Sequence, residues 1–381
     1  MTGNVGTTAE GATVGAVDAA LEALLAAPVY ALPAAEKRAM LGRALAALTA
    51  HHRAACPAYA AILDAYGGAP PGGPEAPMLP VSMFKLHDLA SVPPAAVFKT
   101  MTSSGTTGQR PSRIVLDADT ARLQTRALAR IMTEWLGRRR LPMLIVDHPS
   151  TVKDRRSFPA RAAGILGMMT FGRRHAFALR DADMGLDLEA IDAFAEAHAG
   201  QPVLAFGFTF MVWKHLLSEL RRIGRRLPFE DAVLVHSGGW KTLEAEAVSN
   251  AAFRAEARAL GGFARVHNFY GMVEQTGSVF VECEAGRLHA PAFADIRVRR
   301  AEDWTECAVG EPGIVQVVSA LPRSYPGHSL LTEDRGVILG EDDCPCGRAG
   351  RTAAILGRLA KAELRGCSDT HAAGLAAVAD G

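Results

Sequence analysis

The sequence predicts an α/β fold: a body built on a mostly parallel sheet, followed by a smaller β-rich subdomain. Two changes of texture predict it. From about residue 97 to 276, short apolar runs of strand type alternate with longer helical patterns, the signature of a covered parallel sheet. After about residue 276 the helical patterns stop, and short strands follow one another with turn residues between them. The length of 381 residues, 49% of them hydrophobic, is ample for a buried core without covalent staples.

Residues 1–80 read as an N-terminal helical region and linker. The first dozen residues are small, polar and Gly-rich and are expected to be disordered. Residues 17–27 and 34–49 carry apolar residues at helical spacing. The stretch 66–80, YGGAPPGGPEAPMLP, is dense in Pro and Gly and reads as a surface linker. Residues 81–276 form the expected α/β body. Its strands are expected at 142–147, 202–206, 232–236 and 264–269, and its helices at 118–138, 187–199, 210–225 and 242–260. Residues 277–357 form the expected β-rich subdomain, with strands at 278–282, 296–299, 313–318 and 335–339. Residues 358–381 read as a hinge and short C-terminal tail carrying Cys367.

Bulk properties exclude some classes of function. A formal charge of +1 gives no global attraction to nucleic acid or to an anionic membrane. The arginine clusters at 138–140 and 221–226 read as solvated helix ends and loops. No apolar run reaches the roughly 18 residues needed to span a bilayer. The N-terminus lacks a basic start followed by an apolar core, so it does not read as a secretory signal. Six cysteines in a chain this long do not make a disulfide framework. A cytoplasmic protein with reduced thiols is expected.

Three motifs carry chemistry. The first is Ser103-Ser104-Gly105-Thr106-Thr107-Gly108, four hydroxyls and two glycines in six residues. Glycines let the backbone approach a phosphate, and successive N–H groups and hydroxyls wrap an anion. The spacing is not that of a Walker P-loop, and no Lys-Ser/Thr closes it. The second is Cys283, His289, Cys344 and Cys346: three thiols and an imidazole, a donor set that suits a closed tetrahedral Zn²⁺ site. The third is the C-terminal run from Gly357 to Cys367; by itself Cys367 reads as a surface cysteine in a frayed end, although a neighbouring Arg365 would favour the thiolate of a nucleophile. Cys56 and Cys307 have no partners of this kind. No Ser-His-Asp set or Gly-x-Ser-x-Gly elbow is evident.

The loop at 103–108 resembles the phosphate loop of the adenylate-forming superfamily, and further matches follow in the family's order. His236-Ser-Gly238-Gly239-Trp-Lys241 resembles its adenine-contacting turn. Phe269-Tyr270-Gly271-Met-Val-Glu274-Gln275 resembles its aromatic-Gly-x-x-Glu element. The resemblance implies that Tyr270 lies on the adenine and that Glu274 helps to hold Mg²⁺. It likewise implies that Asp334 of Thr332-Glu-Asp334, and Arg358 of Gly357-Arg358, contact the ribose. In the reaction so implied, a carboxylate attacks the α-phosphate of ATP, and the loop, with Thr106 at its centre, steadies the charge. The Cys/His set is similar to that of phenylacetate-CoA-ligase-like members. Those enzymes continue into a lid domain that bears a lysine used in adenylation; here the lid is expected to be missing, with Lys361 a weak stand-in.

The likeness narrows to the acyl-protein synthetases of bacterial luminescence, the LuxE type. The shared features include Ser324-Tyr-Pro-Gly-His328, Leu-Thr-Glu-Asp and Lys-Ala-Glu-x-Arg-Gly-Cys, and the resemblance runs from about residue 80 onward. It implies the large N-terminal domain of an adenylate-forming enzyme using ATP, Mg²⁺ and a structural Zn²⁺. A carboxylic acid, by this resemblance a fatty acid, would be adenylated, passed to Cys367, and given to an acyl-accepting protein, a reductase or carrier protein. The alternatives are an acyl-CoA or acyl-carrier-protein ligase of the phenylacetate-CoA-ligase type, and a nucleotide-binding subunit that has lost its chemistry. Some residues read two ways. His267 and His328 are read as structural, although His328 also suits orienting a phosphate or acyl group. Phe206-Gly-Phe-Thr209 fits either an acyl-pocket wall or core. Lys85 and Lys99 are read as solvated, with reach to an anion as the other reading.

Overall fold

The computed structural model describes residues 9–66, 76–103, 111–153, 160–180, 183–240 and 247–359. Three helices open the chain, α1 (Ala9–Ala26), α2 (Ala34–Ala55) and α3 (Pro57–Ala65). They are followed by strand β1 (Leu79–Pro80), helix α4 (Met83–Leu86), strands β2 (Lys99–Thr102) and β3 (Arg113–Leu116), and helix α5 (Ala118–Leu136). Next come β4 (Leu141–Ile145), α6 (Ser150–Lys153), α7 (Ala160–Met169), β5 (Gly172–Phe177), α8 (Leu188–Ala197) and β6 (Val203–Phe208). A short helix α9 (Thr209–Met211), a π-helical stretch (Val212–Leu217) and α10 (Ser218–Arg222) run on into β7 (Ala232–Ser237), α11 (Asn250–Gly261) and β8 (Phe263–Tyr270). The rest is β: β9 (Phe280–Glu282), β10 (Leu288–His289), β11 (Ala294–Arg299), β12 (Pro312–Ser319), β13 (Ser329–Glu341) and β14 (Arg351–Arg358).

Contacts group the chain into two compact units that cut across the four segments read from sequence. Among the described residues, one comprises those up to 131, 271–280 and those from 287 onward, the other residues 132–270 and 281–286. In the second unit the strands run in the order β5-β4-β6-β7-β8, all parallel. Every residue of β6 is buried, as a strand covered on both faces requires. Leu144, Val146, Leu216, Leu234, Phe253 and Phe263 belong to one apolar cluster beside it.

In the first unit the order is β11-β12-β13-β14-β10, antiparallel throughout, and β1 adds in parallel to β13. A separate antiparallel hairpin joins β2 to β3. The N-terminal helices are fastened to the β-rich part by polar bonds. Lys37 Nζ donates to the Ala290 carbonyl (3.0 Å) and pairs with Asp295 (3.2 Å). The Ala34 N–H, at the start of α2, donates to the Asp342 carboxylate (2.9 Å).

The fold is mixed α/β, as the alternation implied, and the four expected strands of the body fall at β4, β6, β7 and β8. Several details differ. Residues 9–12 are helical rather than disordered, because α1 begins at Ala9. The linker's end is not at the surface: Met78 and Leu79 are buried, and Leu79 pairs with Leu330. Of the helix expected at 242–260, residues 242–246 lie outside the described residues and 247–249 are not helical; α11 starts at Asn250, where Ser249 caps it by accepting from the Ala252 N–H (3.2 Å). Strand β5, GRRHAF, escaped sequence reading because three of its side chains are exposed and no apolar period marks it.

Candidate functional site

In the first unit, the hairpin β2–β3 brackets the Ser/Thr/Gly loop. Ser103 and Ser112 close its neck with two bonds: the Ser112 N–H donates to Ser103 Oγ (2.9 Å), and the Ser103 N–H donates to the Ser112 carbonyl (3.2 Å). Ser104, Gly105, Thr106, Thr107 and Gly108 lie outside the described residues.

Glu274 sits on a single 3₁₀ turn, Val273–Gln275, and is buried. Burial pushes its carboxyl pKa up; its own backbone N–H, a hydrogen bond from Ser112 and the charges of Lys85 and Arg358 oppose the rise. The turn is braced from behind. Tyr325 Oη donates to the Glu274 carbonyl (2.9 Å), and Gln275 Nε2 donates to the carbonyls of Gly327 (2.8 Å) and Val317 (3.1 Å). A buried carboxylate is a suitable donor for Mg²⁺, which is held by one or two carboxylates plus substrate phosphates, whereas the two nearby cations suit phosphate charge and not the metal. Lys85 is half-buried and its charge acts on Glu274, while Lys99 is exposed.

Asp334 and Arg358, separated by 23 residues of sequence, face each other across the β13–β14 ribbon. Arg358 Nε lies 3.5 Å from the Asp334 carboxylate, and the Asp334 N–H is held by Thr332 Oγ1 (3.1 Å). A carboxylate acceptor and a guanidinium donor side by side form a pair able to grip two vicinal hydroxyls.

In the second unit, Gly238 and Tyr270 follow directly on Ser237 and Phe269, which are register partners in adjacent parallel strands. Both lie at the carboxyl ends of the strands, the edge where open α/β sheets bind ligands. Gly238 has φ +86°, a left-handed backbone that favours glycine, and its neighbour Gly239 is exposed with it. Behind the turn His236 is buried and hydrogen-bonded through Nδ1 to Thr209 Oγ1 (2.9 Å). Burial, then the charges of His267 and Arg254, push its pKa down to about 3, so it is a neutral prop for the turn. Phe206 and Phe208 are buried, and Gly207 has no room for a side chain. A Cβ there would lie 2.7 Å from Val212 Cγ2 and 2.8 Å from Val146 Cβ. Between the two readings of this run, the packing favours core.

The ligand atoms of Cys283, His289, Cys344 and Cys346 all lie within 4.8 Å of one another. A zinc–thiolate tetrahedron has edges of about 3.8 Å, so this donor set fits Zn²⁺. Cys346 Sγ approaches His289 Nε2 at 3.3 Å, and the five described cysteines form no disulfide.

Other sequence readings resolve differently. His328 is buried and bonded to Thr49 Oγ1 (2.9 Å), a structural position, and Ser324–His328 is an internal brace. Gly271 is exposed between Tyr270 and the Glu274 turn. Cys56 and Cys307 are buried, and burial raises both thiol pKa values, the opposite of nucleophilic activation. Cys367, Arg365, Lys361 and Lys241 lie outside the described residues. Sequence reasoning missed Ser112 and Tyr325. Ser112 gains meaning only by closing the loop neck with Ser103, and Tyr325 by donating to the Glu274 carbonyl, although Tyr325 lay inside a noted motif. No helix among the described residues is long and apolar enough to cross a membrane.

The fold is shared with enzymes of known structure. An open conformation of 2-hydroxyisobutyryl-CoA ligase in complex with 2-HIB-AMP and CoA superposes with a TM-score of 0.65 at 17% identity, covering 87% of this chain and 77% of the other. The same ligase in its postadenylation state gives 0.65 and 17%, covering 87% and 69%. No curated protein sequence matches the chain. Residues 71–376 match the family model described as acyl-protein synthetase, LuxE. The chain therefore belongs to the LuxE family of acyl-protein synthetases, AMP-forming acid ligases.

Proposed function

We propose that this protein adenylates a fatty acid, takes the acyl group onto Cys367 and hands it to a partner protein such as an acyl reductase. The carboxylate oxygen attacks the α-phosphorus of ATP; the bond to the β-phosphate oxygen breaks and pyrophosphate leaves. The Cys367 thiolate then attacks the acyl carbon and AMP departs. Family membership and the site around Glu274 support this reading. Tyr270 and the Gly238–Gly239 turn would face the adenine, Asp334 and Arg358 would hold the ribose, and Ser103 to Gly108 would wrap the phosphates. Glu274 would hold Mg²⁺, which neutralises phosphate charge as pyrophosphate departs.

The observation that carries the proposal is the buried Glu274 side chain, on a turn braced by Tyr325 and Gln275 and flanked by the charges of Lys85 and Arg358. Incubation with ATP, Mg²⁺ and radiolabelled fatty acid should label the wild-type chain and release pyrophosphate. Cys367→Ser should release pyrophosphate yet carry no label. Label persisting on that variant removes the thioester step, and a coenzyme-A-dependent product would redirect the acceptor.

The Cys/His cluster supports a structural zinc. One equivalent of zinc in purified protein is expected by mass spectrometry, with Cys344→Ser losing it and melting several degrees lower. Metal-free wild type with the same melting temperature would remove zinc from the account.

A further inference from the structure

The run Ser324–His328 is buried from end to end, and no step above uses it. Its bonds reach two places at once. On one side Ser324 Oγ donates to the Val115 carbonyl (2.8 Å), in the strand β3 that follows the neck of the Ser/Thr/Gly loop. On the other side Tyr325 Oη donates to the Glu274 carbonyl (2.9 Å), and Gln275 Nε2 donates to the Gly327 carbonyl (2.8 Å). The approach there is close. A Cβ added to Gly327 would lie 2.8 Å from the Glu274 carbonyl oxygen, so the run meets that turn where only glycine fits. At its far end the run is anchored to α2 by His328 and Thr49 (2.9 Å).

The direction of the tyrosine hydroxyl is set by its partners. A carbonyl only accepts, and Gln124 Nε2 only donates, to Tyr325 Oη at 3.3 Å. The Tyr325 proton therefore points at Glu274. Tyr325 is 0% exposed, so no water substitutes for it. The Glu274 carbonyl carbon is bonded to the Cα that carries the side chain, so a shift of that carbonyl moves the carboxylate with it.

We infer that Ser324–His328 is a spacer between the loop hairpin and the Glu274 turn, and that Tyr325 is the positioning residue that places the Glu274 carboxylate for a bound Mg²⁺–ATP. The inference rests on the role proposed above for Glu274. Hydrogen bonds behind a metal-ligating residue set its orientation, and loss of one typically weakens metal affinity 10–100-fold.

Calorimetric titration of ATP into the full-length chain, with and without Mg²⁺ and in the absence of acid, tests it. Wild type should bind ATP more tightly with Mg²⁺. Tyr325→Phe should lose about tenfold of that Mg²⁺-dependent gain, while its affinity for metal-free ATP stays near wild type. Its melting temperature should fall as well, because the Glu274 carbonyl and the Gln124 amide lose their partner. Gly327→Ala keeps the hydroxyl but drives a Cβ toward the same carbonyl, and should lose the gain by that second route. Leu24→Ala is the control for stability alone. It opens a cavity at a buried position of α1, outside the run, and should melt lower yet keep the full gain. A Tyr325→Phe protein that gains as much from Mg²⁺ as wild type overturns the inference and leaves the function standing. Loss of the gain in Leu24→Ala also overturns it, since lowered stability would then be the cause. Wild type whose ATP affinity ignores Mg²⁺ overturns it too, and wild type that binds no ATP at all sinks the proposed function with it.

Discussion

The two units solve the problem of burial with different chemistry. The parallel-sheet unit is held by an apolar cluster in which Leu144, Leu234, Phe253 and Phe263 are buried. It also holds buried polar pairs, Asp147 with Arg161 (2.5 Å) and His236 with Thr209 (2.9 Å), but these lie at or just beyond the ends of the strands. The antiparallel unit places polar groups inside: Lys37 with Asp295, His52 with Ser91 (2.7 Å), His328 with Thr49, and Arg299 with Gln316 (2.7 Å). An apolar layer is forgiving of geometry, since burial scales with area and not with angle. A buried polar pair is unforgiving, because losing one member strands the other. The unit that carries Glu274, Asp334 and Arg358 is thus the one built on directional contacts.

Breaking that contrast gives the largest expected effect. Lys37→Met leaves the Asp295 carboxylate buried and should cost about 3–5 kcal/mol in urea unfolding. Adding Asp295→Leu should recover at least half of the loss. In the parallel unit Leu234→Ala should cost about 2–5 kcal/mol through the cavity it opens, and no second deletion should recover it. If the double substitution in the antiparallel unit is as unstable as Lys37→Met alone, the pair is not what that unit relies on.

A smaller effect is acid sensitivity. Burial, then the charge of His51, holds the His328 pKa down to about 3, and burial lowers His52 as well. Both are neutral when folded and titrate near 6.5 when unfolded. Below pH 6.5 the unfolded chain binds more protons, so stability falls as pH falls, by about 1.4 kcal/mol per pH unit for each histidine. For His328 the loss runs from about pH 6.5 down to about 3. His328→Asn should flatten the slope by one proton; an unchanged slope between pH 6.5 and 5 would show that this histidine contributes nothing to it.

The smallest effect belongs at the surface. Arg53 and Asp64 approach to 2.6 Å but are both more than half exposed. Arg53→Ala should leave the melting temperature within error, since solvent and salt screen such a pair. A drop of several degrees would show that directional contacts matter outside the interior as well.

How legible was the site? The aromatic-Gly-x-x-Glu run named Glu274 and Tyr270 because glycine and acid at that spacing are local, contiguous signals. The Cys/His set could be picked out because three thiols and an imidazole are rare and chemically alike, whatever the chain does between them. Ser112 could not be seen, because one serine beside a proline looks like any turn. Lys85 could not be settled from sequence for the same reason: whether a lysine is solvated depends on what folds back beside it. The helix start at Asn250 was missed because the helical pattern ran on upstream while Ser249 offered a better cap.

The sequence by itself determined the alternation of strand and helix, the order of the motifs along the chain, and the donor types available for phosphate and metal. These are properties of spacing and composition, which the chain keeps whether or not it is folded. Only the tertiary structure decided that Tyr325 reaches the Glu274 carbonyl, that Asp334 stands across from Arg358, and that Phe206 and Phe208 pack as core. Each of these depends on strand register or on close packing, and both are settled by contacts between residues far apart in the chain.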